Sequence, residues 1–291
     1  MMTNVNRAER DRVIGAFLAA HGWAQAERRL LAGDASFRRY DRLIAADGRR
    51  AVLMDAPPPM ENVRPFMVID QLLAGLDFSV PTILAADADA GLLLLEDLGD
   101  DTYTRLLAAG HDEVDLYGRA TDMLSALHQR LPQATLGQLR DFDADSAILQ
   151  VSRLLDWYYP AIHGAEPSAA VRGEFEAAWR RVLPLWHSLP RRLVLFDFHV
   201  DNLLLLDRPG VRACGLLDFQ DAVAGPIAFD LVSLLEDVRR NVALSLRQAM
   251  IERYLAANSQ LDRDAFMTVY AISGAQRNIR IAGTFARLLR R

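Results

Sequence analysis

The stretch LVLFDFHVDNLLLL, Leu193 to Leu206, places two aspartates, a histidine and an asparagine between two apolar runs. Each apolar run is typical of a short buried strand, so the polar residues are expected in the connection between two strands. Asp197 ends the first strand, and Asn202 opens the second strand, five positions later. A short loop held between two strands is expected to direct both side chains the same way.

A third apolar run after this stretch delivers another carboxylate. The segment GLLDFQDAVAGPIAFDL, Gly215 to Leu231, has Asp218 at the end of the run. Together with Asp197 and Asn202, it is predicted to lie at the rim of a small sheet. Such oxygens are hard ligands that suit Mg²⁺, and a remaining carboxylate can accept a proton. Taken separately, Asp and Asn in a loop are ordinary turn formers, so only the combination is informative.

Length and composition define the class of protein. The chain has 291 residues, of which 51% are hydrophobic and 24% charged, so we expect one large globular domain or two lobes. A formal charge of -5 gives no general attraction to nucleic acid or to an anionic membrane. The single cysteine, Cys214, excludes an internal disulfide, and the first residues are too charged for a signal peptide. No apolar run approaches the ~20 residues of a membrane span. We therefore expect a cytoplasmic protein without nucleic-acid or membrane partners.

The order of predicted elements indicates an α+β architecture in two lobes. Strands are predicted near 37–45, 49–55, 81–86 and 92–95, with helices at 6–21 and 61–74. The dipeptide Asp47-Gly48 predicts a two-residue hairpin turn. Helices dominate after this region, at 112–130, 145–162, 168–188, 229–239, 243–257 and 262–288. The predicted division is a small β-rich N-lobe, residues 1–97, which binds the nucleotide, and a larger, mainly helical C-lobe, residues 98–291, with the catalytic loop, metal and acceptor sites.

The combined motif resembles a known family. DFHVDN followed by LLDFQDAVAGPIAFDL is similar to the catalytic loop and metal-binding aspartate of the aminoglycoside phosphotransferase family, relatives of the protein kinases. The resemblance implies a two-lobed protein-kinase-like fold that uses ATP and Mg²⁺. It also implies that Asp197 orients or deprotonates the acceptor hydroxyl and that Asn202 and Asp218 hold the metal. Asp230 is expected to brace the catalytic loop. Phe196 stands where the family usually has histidine or a basic residue.

A second departure from the family concerns the nucleotide phosphates. All 33 basic residues are arginine, and Met54 occupies the position of the phosphate-binding lysine. In GDASFRRY, which takes the place of the phosphate-covering loop, the candidates for phosphate contact are Ser36 and either Arg38 or Arg39. The alternatives are that Mg²⁺ carries more of the charge neutralisation and that both arginines are surface residues on the strand. Glu61, deprived of its usual lysine partner, is expected to pair with arginine.

The resemblance also indicates where the adenine binds. Its hydrogen bonds are expected to come from the backbone of the segment that connects the two lobes, Glu96, Asp97 and Leu98. Side-chain identity carries little information about such bonds, so this assignment depends on position alone.

Residues for the acceptor are predicted in the C-lobe. His199 and Asp221 lie close to the motif in sequence, although a loop histidine often satisfies backbone groups and Asp221 is equally suited to a solvated turn. Arg153 lies in DSAILQVSRLLDWYYP with Trp157 and Tyr158, which offer faces for stacking on a sugar but are expected largely in the core. Arginine here favours an anionic acceptor, whereas acidic clusters would favour a cationic one.

Blocks spread over residues 33 to 240 resemble one branch of the family, the anomeric kinases of N-acetylmuramate and N-acetylglucosamine in bacterial cell-wall recycling. This branch also lacks the lysine. The resemblance implies phosphorylation of the C1 hydroxyl of a small amino sugar, with the product passing to a sugar-1-phosphate nucleotidyltransferase. The alternatives are a kinase of another small alcohol, such as an aminoglycoside, choline or homoserine, and a catalytically dead binding module. The exact acceptor, the anomer and the oligomeric state are left open.

Overall fold

A computed structural model describes residues 4–33 and 37–289. The chain divides into two compact units. The first unit contains Met1–Asp101 together with Gly215–Gln220, and the second contains Thr102–Cys214 together with Asp221–Arg291. The short segment after the catalytic-loop strands therefore belongs with the N-terminal part of the chain.

The first unit is built on a five-stranded antiparallel sheet of strand order β1-β2-β3-β5-β4. Its strands are β1 (Glu27–Gly33), β2 (Arg39–Ile44), β3 (Arg50–Asp55), β4 (Ile83–Asp87) and β5 (Leu92–Glu96). Two helices accompany the sheet, α1 (Asn4–Ala20) and α2 (Arg64–Gly75). Among the strands that the sequence predicted, all four are present with small shifts at their ends.

One face of this sheet is covered by α1. Ile14, Phe17 and Leu18 of the helix, with Trp23, form an apolar cluster with Leu43, Ala51, Leu53, Leu92 and Leu94 of the strands. Alternate residues of a strand share a face, so this set comes from every second position of β3 and β5. Burial of this apolar surface stabilises the unit.

The hairpin between β2 and β3 is longer than predicted. The Ala45 amide donates to the Arg49 carbonyl at 3.0 Å, and the Gly48 amide donates back to Ala45 at 3.0 Å. Three residues therefore form the loop rather than two. Gly48 has φ +86°, the left-handed region that glycine adopts without strain, as a three-residue hairpin requires.

The second unit is mainly helical. Its helices are α3 (Tyr103–Ala108), α4 (Glu113–Arg130), α5 (Gln133–Leu136), α6 (Ala144–Val151), α7 (Tyr159–His163), α8 (Ala169–Val182), α9 (Phe229–Leu235), α10 (Leu244–Ala257) and α11 (Arg263–Leu288). Between α8 and α9 lie the short strands β6 (Arg192–Val194), β7 (Leu203–Leu205), β8 (Cys214–Leu216) and β9 (Val223–Gly225). β6 pairs with β9 in an antiparallel manner.

Three helices predicted as continuous are divided or shorter. Residues 168–188 form α8 and then a 3₁₀ helix, Leu183–Ser188, and residues 145–162 form α6, then a π-helix at Leu154–Tyr158, then α7. The π-helix begins where α11 packs against the backbone, since a Cβ at Gly283 of α11 would lie 2.4 Å from the carbonyl carbon of Arg153. The predicted helix 229–239 ends at Leu235, and the next carbonyl, that of Glu236, accepts instead from Arg277 at 3.1 Å.

Within residues 4–33 and 37–289, no helix combines the length and the apolar character that crossing a membrane requires.

Candidate active site

The predicted catalytic loop connects β6 to β7 in the second unit. Asp197 is half-buried in this loop, and Asn202 ends a short 3₁₀ turn, Val200–Asn202, just before β7. The Asn202 side-chain amide donates to the Asp197 carbonyl at 3.0 Å, and its backbone amide donates to the His199 carbonyl at 2.9 Å. These bonds fix the position of the Asn202 side chain relative to the backbone of Asp197.

Asp230 braces the loop, as the family resemblance implied. One carboxylate oxygen accepts from the Leu195 amide at 2.6 Å, and the other accepts from the Phe196 amide at 3.0 Å. The Ser233 hydroxyl donates to the Phe196 carbonyl at 3.2 Å. Burial raises the pKa of Asp230 to about 7, and the two amide donors act in the opposite direction. The acid on α9 therefore sets the backbone directly before Asp197.

This bracing maintains an unusual backbone conformation at Phe196. Its φ is +70°, in the left-handed region, which costs a non-glycine residue on the order of 1 kcal/mol or more. The ring lies 4.9 Å from the ring of Phe142 and 5.2 Å from that of Phe229, both edge to face. Phe196 therefore supports the loop by aromatic packing, where the family usually uses a basic residue or histidine.

The strand that leads into the loop is held by a buried histidine. Nδ1 of His128 lies 2.6 Å from the Tyr254 hydroxyl, and Nε2 lies 3.1 Å from the Leu193 carbonyl. A carbonyl only accepts, so Nε2 carries the proton and Nδ1 accepts from the tyrosine. Burial is the main reason that the pKa of His128 falls to about 3. The histidine is therefore neutral near pH 7 and fixes β6 against α4.

His199 lies beneath the loop and faces Asn202. Its Nε2 is 3.4 Å from the Asn202 side-chain nitrogen, and its side chain is buried. Burial lowers the pKa of His199 to about 4, and the charge of Arg239 lowers it further. A neutral imidazole here helps to orient Asn202. Its proposed contact with substrate stays a prediction.

Asp218, the second predicted metal ligand, belongs to the first unit. It follows β8 with φ +58°, and Gln220 donates to its Oδ1 at 2.6 Å. The segment is anchored within that unit, because the Leu216 amide donates to the Ser79 carbonyl at 2.8 Å and Phe219 stacks on Phe66 at 4.8 Å. The strained backbone at Asp218 is typical of a functional position.

The chemistry of these side chains fits Mg²⁺. Asp218 offers carboxylate oxygens, and in Asn202 the nitrogen donates to the Asp197 carbonyl, so the side-chain oxygen is the atom suited to a cation. Carboxylate and amide oxygens are the protein ligands that Mg²⁺ takes, usually one or two of them alongside water and phosphate.

The residues predicted for the phosphates lie in the first unit, apart from Ser36, which lies outside the described residues. Arg38 pairs with Glu61 at 3.1 Å, and Arg39 pairs with Asp41 at 2.8 Å. The expected pairing of Glu61 with an arginine is thus present. Met54 is buried in β3 and packs in the core.

The segment predicted for the adenine follows β5. The Glu96 side chain accepts from Thr82, and Asp97 pairs with Arg42 at 2.8 Å, so both side chains have structural partners. In the part of the chain that the structure describes, the backbone amide and carbonyl of Leu98 make no hydrogen bond. Both groups of Leu98 are suited to pair with a planar base.

The predicted acceptor residues lie in the second unit. Arg153 precedes the π-helix and donates to the Thr284 hydroxyl at 3.3 Å, and Asp221 is exposed. Trp157 is partly buried, but Tyr158 is 45% exposed, so its assignment to the core was wrong.

One residue of this region was missed from the sequence. The Arg280 guanidinium lies 5.4 Å from the centre of the Phe196 ring, directly behind the residue that precedes Asp197. Burial lowers the pKa of Arg280 to about 10, and the charge of Asp197 opposes this effect. The only signal in the sequence was the helical spacing of Arg277, Arg280, Thr284 and Arg287, which places them along one side of α11.

Comparison with known proteins identifies the family. The sequence profile of the phosphotransferase enzyme family (APH) matches residues 27–266. The chain therefore belongs to this family, and the predicted resemblance is confirmed.

Two curated relatives have the same name. The N-acetylmuramate/N-acetylglucosamine kinase of Caulobacter vibrioides is 36% identical over 98% of this chain and 87% of its own length. The protein of that name from Pseudomonas putida is 38% identical over 89% of this chain and 75% of its own length. Among solved structures, macrolide 2'-phosphotransferase type I has a TM-score of 0.62 at 20% identity, covering 99% of this chain and 92% of its own. That likeness confirms the protein-kinase-like fold.

Proposed function

We propose that this phosphotransferase is an ATP-dependent kinase of the anomeric C1 hydroxyl of N-acetylmuramate and N-acetylglucosamine. The names of the two curated relatives support the two sugars. The observation that carries the phosphoryl transfer is the loop geometry, in which Asn202 binds the Asp197 carbonyl and Asp230 binds the two preceding amides. Such a braced loop presents a carboxylate with little freedom, and positioning is most of what this reaction needs.

Asp197 orients the C1 hydroxyl and accepts its proton while O1 attacks the terminal phosphorus of ATP. The bond from O1 to phosphorus forms as the bond from phosphorus to the bridging oxygen breaks, and ADP leaves. Asn202 and Asp218 are the proposed magnesium ligands. When bound, Mg²⁺ supplies neutralisation of the charge on the phosphate oxygens.

The nucleotide is proposed to bind the first unit. Leu98 would pair with the adenine through its backbone, next to Glu96 and Asp97. Ser36 and either Arg38 or Arg39 would contact the phosphates in place of the absent lysine. An anomeric hydroxyl is more acidic than an ordinary alcohol, so its attack depends less on a phosphate-gripping lysine.

The product, a sugar 1-phosphate, is proposed as the substrate of a nucleotidyltransferase in cell-wall recycling, with both enzymes in the cytoplasm. Kinases of other alcohols and a dead binding module are the competing functions.

The test is ADP release from Mg-ATP with each sugar and, in parallel, with an aminoglycoside, choline and homoserine. We expect turnover of both sugars, phosphorus NMR coupling to the anomeric proton, and release of phosphate in mild acid. Phosphate on C6, or turnover of an amino alcohol without either sugar, would overturn the assignment. Absence of ADP release with every acceptor would favour the binding module.

A further inference from the structure

Three arginines of the second unit, one of them against the catalytic loop, lack the ion-pair partners that many arginines of this protein have. They are Arg153, before the π-helix, and Arg280 and Arg287 of α11; we call them the arginine trio. Among the described residues, the guanidinium groups of Arg280 and Arg287 make no ion pair and no hydrogen bond, and that of Arg153 reaches only the Thr284 hydroxyl. A guanidinium has five donors, so partly buried donors without acceptors are costly unless a ligand satisfies them.

The trio is one local cluster. Arg280, Thr284 and Arg287 lie at spacings of four and three along α11 and therefore share one side of it. Gly283 brings this part of α11 against the backbone of Arg153, where a Cβ would meet carbonyl carbon at 2.4 Å. The charge of Arg287 lowers the pKa of Arg153, in addition to burial, and the charge of Arg153 lowers that of Arg280. Three positive charges are thus held together against their mutual repulsion.

The cluster adjoins the catalytic carboxylate. Arg280 covers the Phe196 ring at 5.4 Å, and its guanidinium is close enough to Asp197 and Asp221 for both charges to act on it. Arg277, one turn earlier, has a different environment, because it donates to the Glu236 carbonyl and its charge is opposed by Asp237. The trio therefore retains excess positive charge at the place where Asp197 would hold the acceptor.

We propose that the arginine trio binds the lactyl carboxylate of N-acetylmuramate, with Arg280 as the principal contact. This inference rests on the proposed function, and it assigns the site that would recognise the group by which the two proposed sugars differ. N-acetylmuramate is N-acetylglucosamine with a lactyl ether on O3, so the carboxylate is the one charged group that they do not share. A guanidinium matches a carboxylate in geometry and can bind it through two parallel hydrogen bonds. The same charges disfavour cationic acceptors such as choline.

The test compares both sugars on the full chain with Arg280→Met, which keeps the length of the side chain and removes its charge. We expect kcat/KM for N-acetylmuramate to fall about 30-fold or more, while that for N-acetylglucosamine and the KM for ATP change less than about threefold. Arg280→Lys should recover part of the loss. The matched control is Arg263→Met on the same helix, whose guanidinium pairs with Glu252. It should leave both sugars unchanged.

Equal losses on both sugars, or a raised KM for ATP, would overturn the proposal and assign Arg280 to the phosphates or to the support of the loop. No change for either sugar would also overturn it. Binding separates this inference from the proposed function: N-acetylmuramate should raise the melting temperature more than N-acetylglucosamine does, and Arg280→Met should abolish the difference. If the wild type bound N-acetylmuramate preferentially without turnover, the proposed function would fail and the carboxylate site would stand. If neither sugar stabilised the protein, the carboxylate site would fail.

Discussion

The arginines of the N-terminal sheet and those of the arginine trio differ in whether a carboxylate lies within ion-pair distance. In the sheet, Arg28 and Arg39 pair with the buried Asp41, at 2.7 and 2.8 Å, and Arg42 pairs with the buried Asp97 at 2.8 Å. In the trio, no carboxylate lies within ion-pair distance among the described residues. A chain without lysine uses arginine for every positive charge, so identity alone does not reveal function. The presence or absence of a counter-ion separates structural arginines from those that a ligand would complete.

The largest effect is expected at the carboxylate that the trio adjoins. Asp197→Asn should lower kcat about 1,000-fold, equivalent to about 4 kcal/mol, because proton acceptance is lost while the braced loop is kept. The measurement is ADP release together with circular dichroism. Asp201→Asn in the same loop is the control, since Asp201 pairs with Arg239 at 3.1 Å, and should change kcat only a few-fold. Near-normal turnover of Asp197→Asn would exclude Asp197 as the base.

A structural pair in the sheet should affect stability rather than chemistry. Arg42→Ala leaves Asp97, whose side chain is 3% exposed, with the Gly99 amide at 3.0 Å and the longer ion pair to Arg50 at 3.3 Å. We expect the free energy of unfolding to fall by about 3 kcal/mol, since a buried charge loses its shortest ion pair. Urea denaturation measures this loss. If Arg42→Ala were as stable as the wild type, the ion pairs of the sheet arginines would not contribute to the stability of the fold.

Two buried groups, one in each unit, should contribute to the pH dependence of stability with opposite signs. Burial lowers the pKa of His128 from 6.5 to about 3, so its contribution to stability is present above pH 6.5 and is lost as the pH falls toward 3. Burial raises the pKa of Asp70 on α2 from 3.8 to about 7, so its contribution is lost as the pH rises between these values. Each effect should amount to about 2 kcal/mol, allowing for solvent relaxation around the charge. Urea denaturation of His128→Gln and of Asp70→Asn at pH 5 and pH 8 measures these contributions. Each variant should lose the pH dependence of the free energy of unfolding that its own group contributes. If a variant kept the pH dependence of the wild type, the substituted group would not be its source.

Arg38 and Arg39 test whether an ion-paired arginine can also serve a ligand. Arg39 begins β2 and Arg38 directly precedes it, and adjacent residues in extended backbone point to opposite sides, so we expect only one of them to reach the phosphates. We expect alanine at that position to raise the KM for ATP about tenfold and alanine at the other to change it little. If both variants had an unchanged KM for ATP, neither arginine would contact the phosphates. The ion pairs with Glu61 and Asp41 would then be the role of these arginines.

The smallest expected effect separates the two kinds of arginine most clearly, because substitution should raise the free energy of unfolding rather than lower it. Arg280→Met should increase the free energy of unfolding by about 1 kcal/mol or less, since it removes a partly buried charge that forms no ion pair within 4.0 Å among the described residues. Urea denaturation of Arg280→Met, in parallel with Arg42→Ala, measures it. Destabilisation of Arg280→Met by several kcal/mol would place Arg280 with the structural arginines.

The sequence predicted best what depends on local patterns. Alternating apolar residues and the turn at Gly48 located the strands of the sheet. The spacing of Asp197 and Asn202 located the loop, and the resemblance of the whole motif, with Asp218, indicated the family. Contacts between distant segments were not predictable in this way. The π-helix begins where Gly283 of α11 closely approaches Arg153, and the helical pattern over 145–162 contains no sign of this contact. Arg280 was missed for the same reason, because a partner 84 positions away along the chain, Phe196, gives it its environment.

The π-helix at Leu154–Tyr158 has a consequence for changes in chain length. A π-helical turn holds one residue more than an α-helical path, so it behaves as a built-in insertion. Deleting one residue there should restore an α-helical turn and leave both flanking segments in phase, so Arg153 should keep its direction relative to α7. A single deletion in a regular turn of the same segment should instead rotate the preceding residues by roughly 100°.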